Sequence, residues 1–257
     1  MIEVIRVSAV AFLNTVPYIY GFDQIEKSDR FHIGMDTPSV CAHKLQDGKV
    51  DLGLAPVVVR DQLTEFHEVT DWGIGCDGAV GSVLMVSQKP IEDVDLVYLD
   101  PQSRTSNQLA RIILEDHFQL NPTIALPGAQ ERVNFAAEAA YVLIGDRALA
   151  AHAAFPYIYD LGYLWKEMTG FPFVFARWVG SNLITDRTER DLSLGFELGM
   201  SAIPQLAERY QPLYGKVQVL DYLSNQIKYD LRDERFFAGQ QAFLNRISLS
   251  ETLTEKY

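Results

Sequence analysis

Several short stretches of this sequence carry side chains that could act on a small anion. Ser103-Arg-Thr-Ser106 sets three hydroxyls around one guanidinium, between a β-rich run and an amphipathic one. Hydroxyls beside the free N–H groups of a helix start favour a carboxylate or a phosphate. Plain capping by Ser103 or Thr105 would use the same residues. Gly78-Ala-Val-Gly-Ser-Val83 sets Gly and Ser82 ahead of an apolar run. Glycine lets backbone approach a ligand closely, and an ordinary turn has the same composition. Asn14, in Phe12-Leu-Asn-Thr-Val-Pro17, either caps a helix or presents its amide to a ligand. Asp100 and Asp146 stand at expected strand ends, as salt-bridged turns or as walls of a site.

Other chemistries lack their residues. His32, His43, His67, His117 and His152 show no HxxxH or HxH spacing, so no metal site is expected. Cys41 and Cys76 form no CxxC and read as two buried free thiols. Hydrolase elbow, dinucleotide fingerprint and Walker A patterns are all missing.

The elements that must position these residues follow from punctuation and periodicity. Ile2–Val10, Phe31–Met35 and Val50–Leu54 read as strands, with helices from about Pro17 and from Thr37 to Gln46, stopped by Asp47-Gly48. This βαβαβ order implies parallel pairing. Val80–Ser87, Leu96–Leu99, Ala139–Ile144 and Phe171–Trp178 read as further strands. A helix is expected from Thr105 or Ser106 to Phe118, and an amphipathic segment over Gly162–Thr169. Beyond Arg187 the pattern is helical, over about 189–210, 218–225 and 230–246. Two lobes accommodate this layout: 1–90 plus 180–257 as the first, 91–179 as the second.

The chain has 257 residues and a formal charge of −12. Nucleic acid and anionic membrane are poor partners for such a protein, because both need a basic footprint. No run reaches the ~18 apolar residues of a membrane span. The first residues lack a basic region, a long apolar core and a small-residue cleavage site, so a cytoplasmic protein is expected.

Taken in order, Phe12-Leu-Asn-Thr-Val-Pro17, Gly48-Lys-Val-Asp-Leu-Gly53, Gly78-Ala-Val-Gly-Ser-Val83 and Leu99-Asp-Pro-Gln-Ser-Arg-Thr-Ser106 resemble one family. Leu143-Ile-Gly-Asp146, Asp160-Leu-Gly162 and Thr169-Gly-Phe-Pro-Phe-Val-Phe-Ala176 continue the likeness. That family is chorismate dehydratase (MqnA) of the futalosine route to menaquinone. The resemblance is strong over about residues 3–180 and weaker in the C-terminal helices. It implies an α/β, two-lobed fold similar to type II periplasmic binding proteins, with a central ligand cleft. It also implies a cytoplasmic, cofactor-free carbon–oxygen lyase that removes water from the dianion chorismate. The product would be 3-[(1-carboxyvinyl)oxy]benzoate.

On this resemblance Asn14 matches the position linked to activity. Ser82, Ser103, Arg104, Thr105, Ser106 and Asp146 become the expected substrate-binding set, with no metal. Backbone N–H groups near Ser82 are expected to help hold a carboxylate. Asn14 is expected to orient the enolpyruvyl carboxylate, which removes the proton itself, and Asp146 is the rival base. Cys76 stands where a serine is expected and should lie behind the site. The alternative is a non-catalytic protein of the same fold that binds or senses a small anion.

Overall fold

The computed structural model describes residues 4–26, 28–128 and 135–254; Ile2 and Glu3 of the expected first strand lie outside them. The first half of the chain runs β1 (Ile5–Val10), α1 (Val16–Gln24), β2 (Phe31–Asp36), α2 (Pro38–Gln46), β3 (Leu52–Pro56), β4 (Phe66–Cys76), β5 (Val83–Ser87), β6 (Leu96–Tyr98), α3 (Thr105–Ile112) and β7 (Thr123–Ala125). It continues with β8 (Ala139–Ile144), α4 (Gly145–Ala151), β9 (Tyr157–Asp160), α5 (Leu161–Thr169), β10 (Phe173–Ser181), α6 (Asp186–Ser201), α7 (Ile203–Tyr210), α8 (Val219–Asp221), β11 (Lys228–Asp230) and α9 (Glu234–Thr254). Two compact units result: Met1–Ile74 with Phe175–Arg232, and Gly75–Val174 with Asp233–Tyr257.

The first unit carries a sheet in the order β11-β4-β10-β3-β1-β2. β1 pairs in parallel with β2 and β3, as the βαβαβ pattern requires, and β10 joins antiparallel to β3. Apolar residues on both faces of β1 and β3 explain the parallel core, since helices must cover both sides of such a sheet. Its aromatic core joins Tyr18 and Phe22 of α1 to Trp178 and Phe196, with the last two stacked at 5.5 Å or less. The Tyr18 hydroxyl donates to the Gly73 carbonyl at 2.6 Å, which satisfies the one polar atom this ring buries. Close approach of α1 to α6 depends on Gly199, where a Cβ would sit 2.0 Å from the Pro17 carbonyl oxygen.

The second unit carries the order β7-β6-β8-β5-β9. β6 is parallel to β7 and β8, whereas β5 is antiparallel to β8 and β9. α9 belongs to this unit. Its Phe243 closes an aromatic cluster with Trp165 and Phe173 at centroid distances of 5.9 and 4.8 Å. Its Arg246 reaches Asp116 and Glu115 at 2.8 Å each.

Several expectations are revised. The crossings fall inside β4 and β10 rather than at the expected lobe boundaries after residues 90 and 179, so residues 75–90 join the second unit. Residues 233–257 join it too, because the apolar face of α9 finds its aromatic partners there. The helix after Thr105 changes to π geometry over Ile113–His117. Within the expected helical tail, Lys228–Asp230 is a strand.

Candidate functional site

Strand register gathers most of the expected site residues at one end of the second sheet. Val83 of β5 lies opposite Ile144 of β8, and Leu84 lies opposite Asp160 of β9. β6 runs parallel to β8, with Tyr98 beside Tyr141. The start of β5 and the ends of β6, β8 and β9 therefore share one end of the sheet. Ser82 precedes β5, Ser103–Ser106 follows β6, and Gly145-Asp146 follows β8. Strands running the same way and feeding helices put three helix starts, those of α3, α4 and α5, at that end.

The Asp100–Asn107 segment is braced on every side. The Asp100 carboxylate is fully buried and pairs with Arg147 at 2.6 Å. It also accepts the Gln102 N–H at 2.9 Å and the Ile144 N–H at 3.2 Å. The Asn107 amide donates to the carbonyls of Asp100 and Ser103 and accepts the Asp100 N–H at 3.0 Å. Asp100 is thus the salt-bridged turn of its two readings. Ser103 caps the helix: its Oγ accepts the Ser106 N–H at 3.1 Å. Thr105 and Ser106 are buried in the first turn of α3. Arg104 is half-buried beside them. Buried hydroxyls at the start of an amphipathic helix can hold an anion by hydrogen bonds that strengthen with its charge.

The Gly78–Ser82 loop is held just as tightly. Both oxygens of Asp160 accept the Val80 N–H, at 3.1 and 3.0 Å, and one of them accepts the Gly81 N–H at 2.7 Å. The same carboxylate caps α5 through the Tyr163 N–H at 3.0 Å. Burial pushes the Asp160 carboxyl above its ordinary range, and the N–H bonds pull the other way. His152 Nε2 lies 2.9 Å from the Gly81 carbonyl, and the Gly145 N–H donates to the Ser82 carbonyl at 2.8 Å. One expectation is corrected here: the Val80 and Gly81 N–H groups are occupied by Asp160 and do not face a ligand carboxylate. Ser82 itself is 1% exposed. Cys76 is fully buried under this loop, and a Cβ at Gly162 would sit 2.6 Å from its sulfur. Burial pushes its thiol up, so it contributes packing rather than a thiolate.

Asn14 belongs to the first unit. It is buried in a short turn, Leu13–Thr15, directly after β1 and before α1. Neither Asn14 nor Thr15 caps α1 through its side chain, so the capping reading of this Asn is set aside. Thr15 instead donates its hydroxyl to Asn14 Oδ1 at 3.3 Å. Asp146 is half-buried in the first turn of α4.

Four residues at the second unit's site end escaped the sequence reading: Asn107, Arg147, His152 and Asp160. Their roles depend on partners 4 to 80 positions away, and only the Asp160-Leu-Gly162 string hinted at one of them. A cavity of about 490 Å³ lies near the far end of α3, lined by Arg111, Glu115, Leu120, Asn121 and Ile247. None of the candidate residues lines it. Among the described residues no helix is long and apolar enough to cross a membrane.

Comparisons with known proteins agree with this architecture. A structural-genomics protein from Archaeoglobus fulgidus superposes with a TM-score of 0.76 at 13% identity, over 97% of this chain and 98% of its own. The periplasmic aliphatic sulphonate binding protein SsuA of Escherichia coli gives 0.62 at 14% identity, over 98% and 93%. A Candida albicans gene product with the generic periplasmic binding protein fold gives 0.59 at 8% identity, over 96% and 90%. These likenesses show that the chain has the periplasmic-binding-protein fold. A family model described as menaquinone biosynthesis matches residues 5–248, and so the chain belongs to the menaquinone biosynthesis family.

Proposed function

We propose that the protein is a chorismate dehydratase, a hydro-lyase that converts chorismate to 3-[(1-carboxyvinyl)oxy]benzoate and water on the futalosine route. The observation that carries the reading is the Ser103–Ser106 segment. In a chain of the menaquinone biosynthesis family, two buried hydroxyls open a helix beside Arg104, at the same sheet end as Ser82. This is a donor-rich environment suited to a carboxylate.

Chorismate loses the hydrogen at C3 and the hydroxyl at C4, and the ring becomes aromatic. The elimination is redox-neutral, so the proposed reaction needs no cofactor, and its drive is built into the substrate. The protein must select this path by orientation and charge placement. In the proposed mechanism Thr105, Ser106 and Arg104 hold one carboxylate, Ser82 donates to the same or the other carboxylate, and Ser103 keeps the helix start in shape. Asn14 orients the enolpyruvyl carboxylate, which takes the C3 proton. A neutral amide suits this role, because it is no base near pH 7 but hydrogen-bonds a carboxylate well. Asp100 and Asp160 are committed to Arg147 and to backbone N–H groups, which supports a base supplied by the substrate. Asp146 is the remaining protein carboxylate named at this end, and it is the rival base. The proposed site of action is the cytoplasm.

The test is to mix the pure protein with chorismate, follow loss of the diene absorbance and identify the product by mass spectrometry. The aromatic carboxyvinyl ether at catalytic protein concentrations is the expected result. Chorismate bound but unchanged would overturn the enzyme reading in favour of a small-anion binding or sensing protein. Asp146→Asn separates the two bases: it should lose less activity than Asn14→Ala if the substrate supplies the base.

A further inference from the structure

The geometry points to Asp160 as a positioning residue: by holding the Val80 and Gly81 N–H groups, its carboxylate fixes the backbone that presents Ser82 to an anionic substrate. The carboxylate is far from both in sequence, 80 and 79 residues away, yet its two oxygens reach both N–H groups at 2.7 to 3.1 Å. Capping α5 takes the bonds from the Gly162 and Tyr163 N–H groups, the latter at 3.0 Å. The carboxylate's other bonds go to the Val80 and Gly81 N–H groups of the loop. Gly78 and Gly81 both adopt positive φ, 121° and 69°, so this loop is the kind of backbone that needs outside contacts to keep one shape. Its other restraints act at Gly78, whose backbone bonds the Cys76 sulfur, at the Gly81 carbonyl through His152 and at the Ser82 carbonyl through Gly145. Asp160 alone among these holds Val80. The nearby Gly162 leaves room for the arrangement: a Cβ there would meet the Gly78 carbonyl at 2.9 Å and Asp160 Oδ1 at 3.3 Å.

Two substitutions separate capping from clamping. Asp160→Ser keeps an oxygen able to cap α5 but is too short to bridge to the loop. Asp160→Asn keeps the size but offers one acceptor oxygen in place of two. The KM arm rests on the proposed dehydratase reading, and hydrogen exchange does not. Both variants should show exchange at the Val80 and Gly81 amides faster by about tenfold or more, with α5 amides unchanged in Asp160→Ser. With chorismate, KM should rise by about tenfold or more while kcat changes less, as expected for loss of ground-state positioning. In a Ser82→Ala background the same change should raise KM by less than about twofold, because the two residues act in series. Additive effects, or unchanged exchange at Val80 and Gly81, would overturn the inference. If the wild-type protein leaves chorismate untouched, the dehydratase reading fails and the exchange result alone decides the clamp. If neither variant folds, absence of protection at the two amides in the wild type overturns it.

Discussion

At the scale of single residues, the site depends on neutral donors held in place by charged supports. Asn14→Ala should leave the circular dichroism spectrum unchanged and lower kcat by about 10²–10³, the usual loss for one aimed donor in a dry site. Near-normal turnover would remove Asn14 from the mechanism. Thr105→Val and Ser106→Ala should each weaken binding of the aromatic product by about 1.5–3 kcal/mol, measured by calorimetry, if these hydroxyls hold a carboxylate. Equal affinity in both would return them to a packing role. Arg147→Met tests the support: it leaves the buried Asp100 carboxylate without its cation. Because Arg147 is 43% exposed and partly screened, about 1–3 kcal/mol of stability should be lost rather than the full cost of a broken buried pair. The two thiols give a simpler check. Burial raises Cys41 to about 11 and Cys76 further, so neither should react with an aromatic disulfide reagent at pH 8 until the protein unfolds.

At the scale of elements, legibility followed how local each signal is. α2 was readable because Thr37, Pro38 and Asp47-Gly48 mark both ends, and Thr37 does accept the Val40 N–H. β8 was readable because all six of its residues are apolar and buried. β4 was not, since its first half, Phe66-His-Glu-Val-Thr-Asp71, lacks the alternation of a half-buried strand and only its second half is continuously buried. β11 has three residues and borrows its identity from β4, its neighbour in the sheet. At the site, the serines and Asn14 were legible as residue types, but the choice between cap and ligand group was not. That choice depends on whether a hydroxyl is already engaged, as Ser103 is by Ser106, and engagement is a matter of three-dimensional partners. The packing of α1 on α6 gives an element-scale prediction. Gly199→Ala would force a Cβ to within 2.0 Å of the Pro17 carbonyl, and helix starts cannot yield that far. A loss of about 1–3 kcal/mol in chemical denaturation is expected, with a drop in turnover because Asn14 lies just before α1. Unchanged stability would mean that the two helices slide apart freely.

At the scale of the whole molecule, acid titration reads several buried carboxylates at once. The side-chain bonds from Arg6 hold the Asp51 carboxyl below its ordinary value, so this group stabilises the fold above about pH 4 and loses that contribution as pH falls through its folded value. Asp160 has the opposite sign: burial raises it, so stability is lost as pH rises from the ordinary carboxylate range through its folded value. Asp51→Asn should therefore lower the melting temperature at pH 7 and flatten its fall below pH 4, whereas Asp160→Asn should leave the pH 7 value within a few degrees. A parallel shift of the whole curve by Asp51→Asn would show that its ion pair is unrelated to the acid limb. The strand order carries one more consequence. β10 lies between β3 and β4, and β11 lies beyond β4, so the first sheet takes strands from both ends of the chain. While a ribosome is making the protein, β3 and β4 stand with unpaired edges until residue 181 has emerged, and the second unit waits longer still, for the helix that carries Phe243. Until those segments have been made, the polypeptide presents open strand edges of the kind that chaperones shield and that join neighbouring chains when they do not.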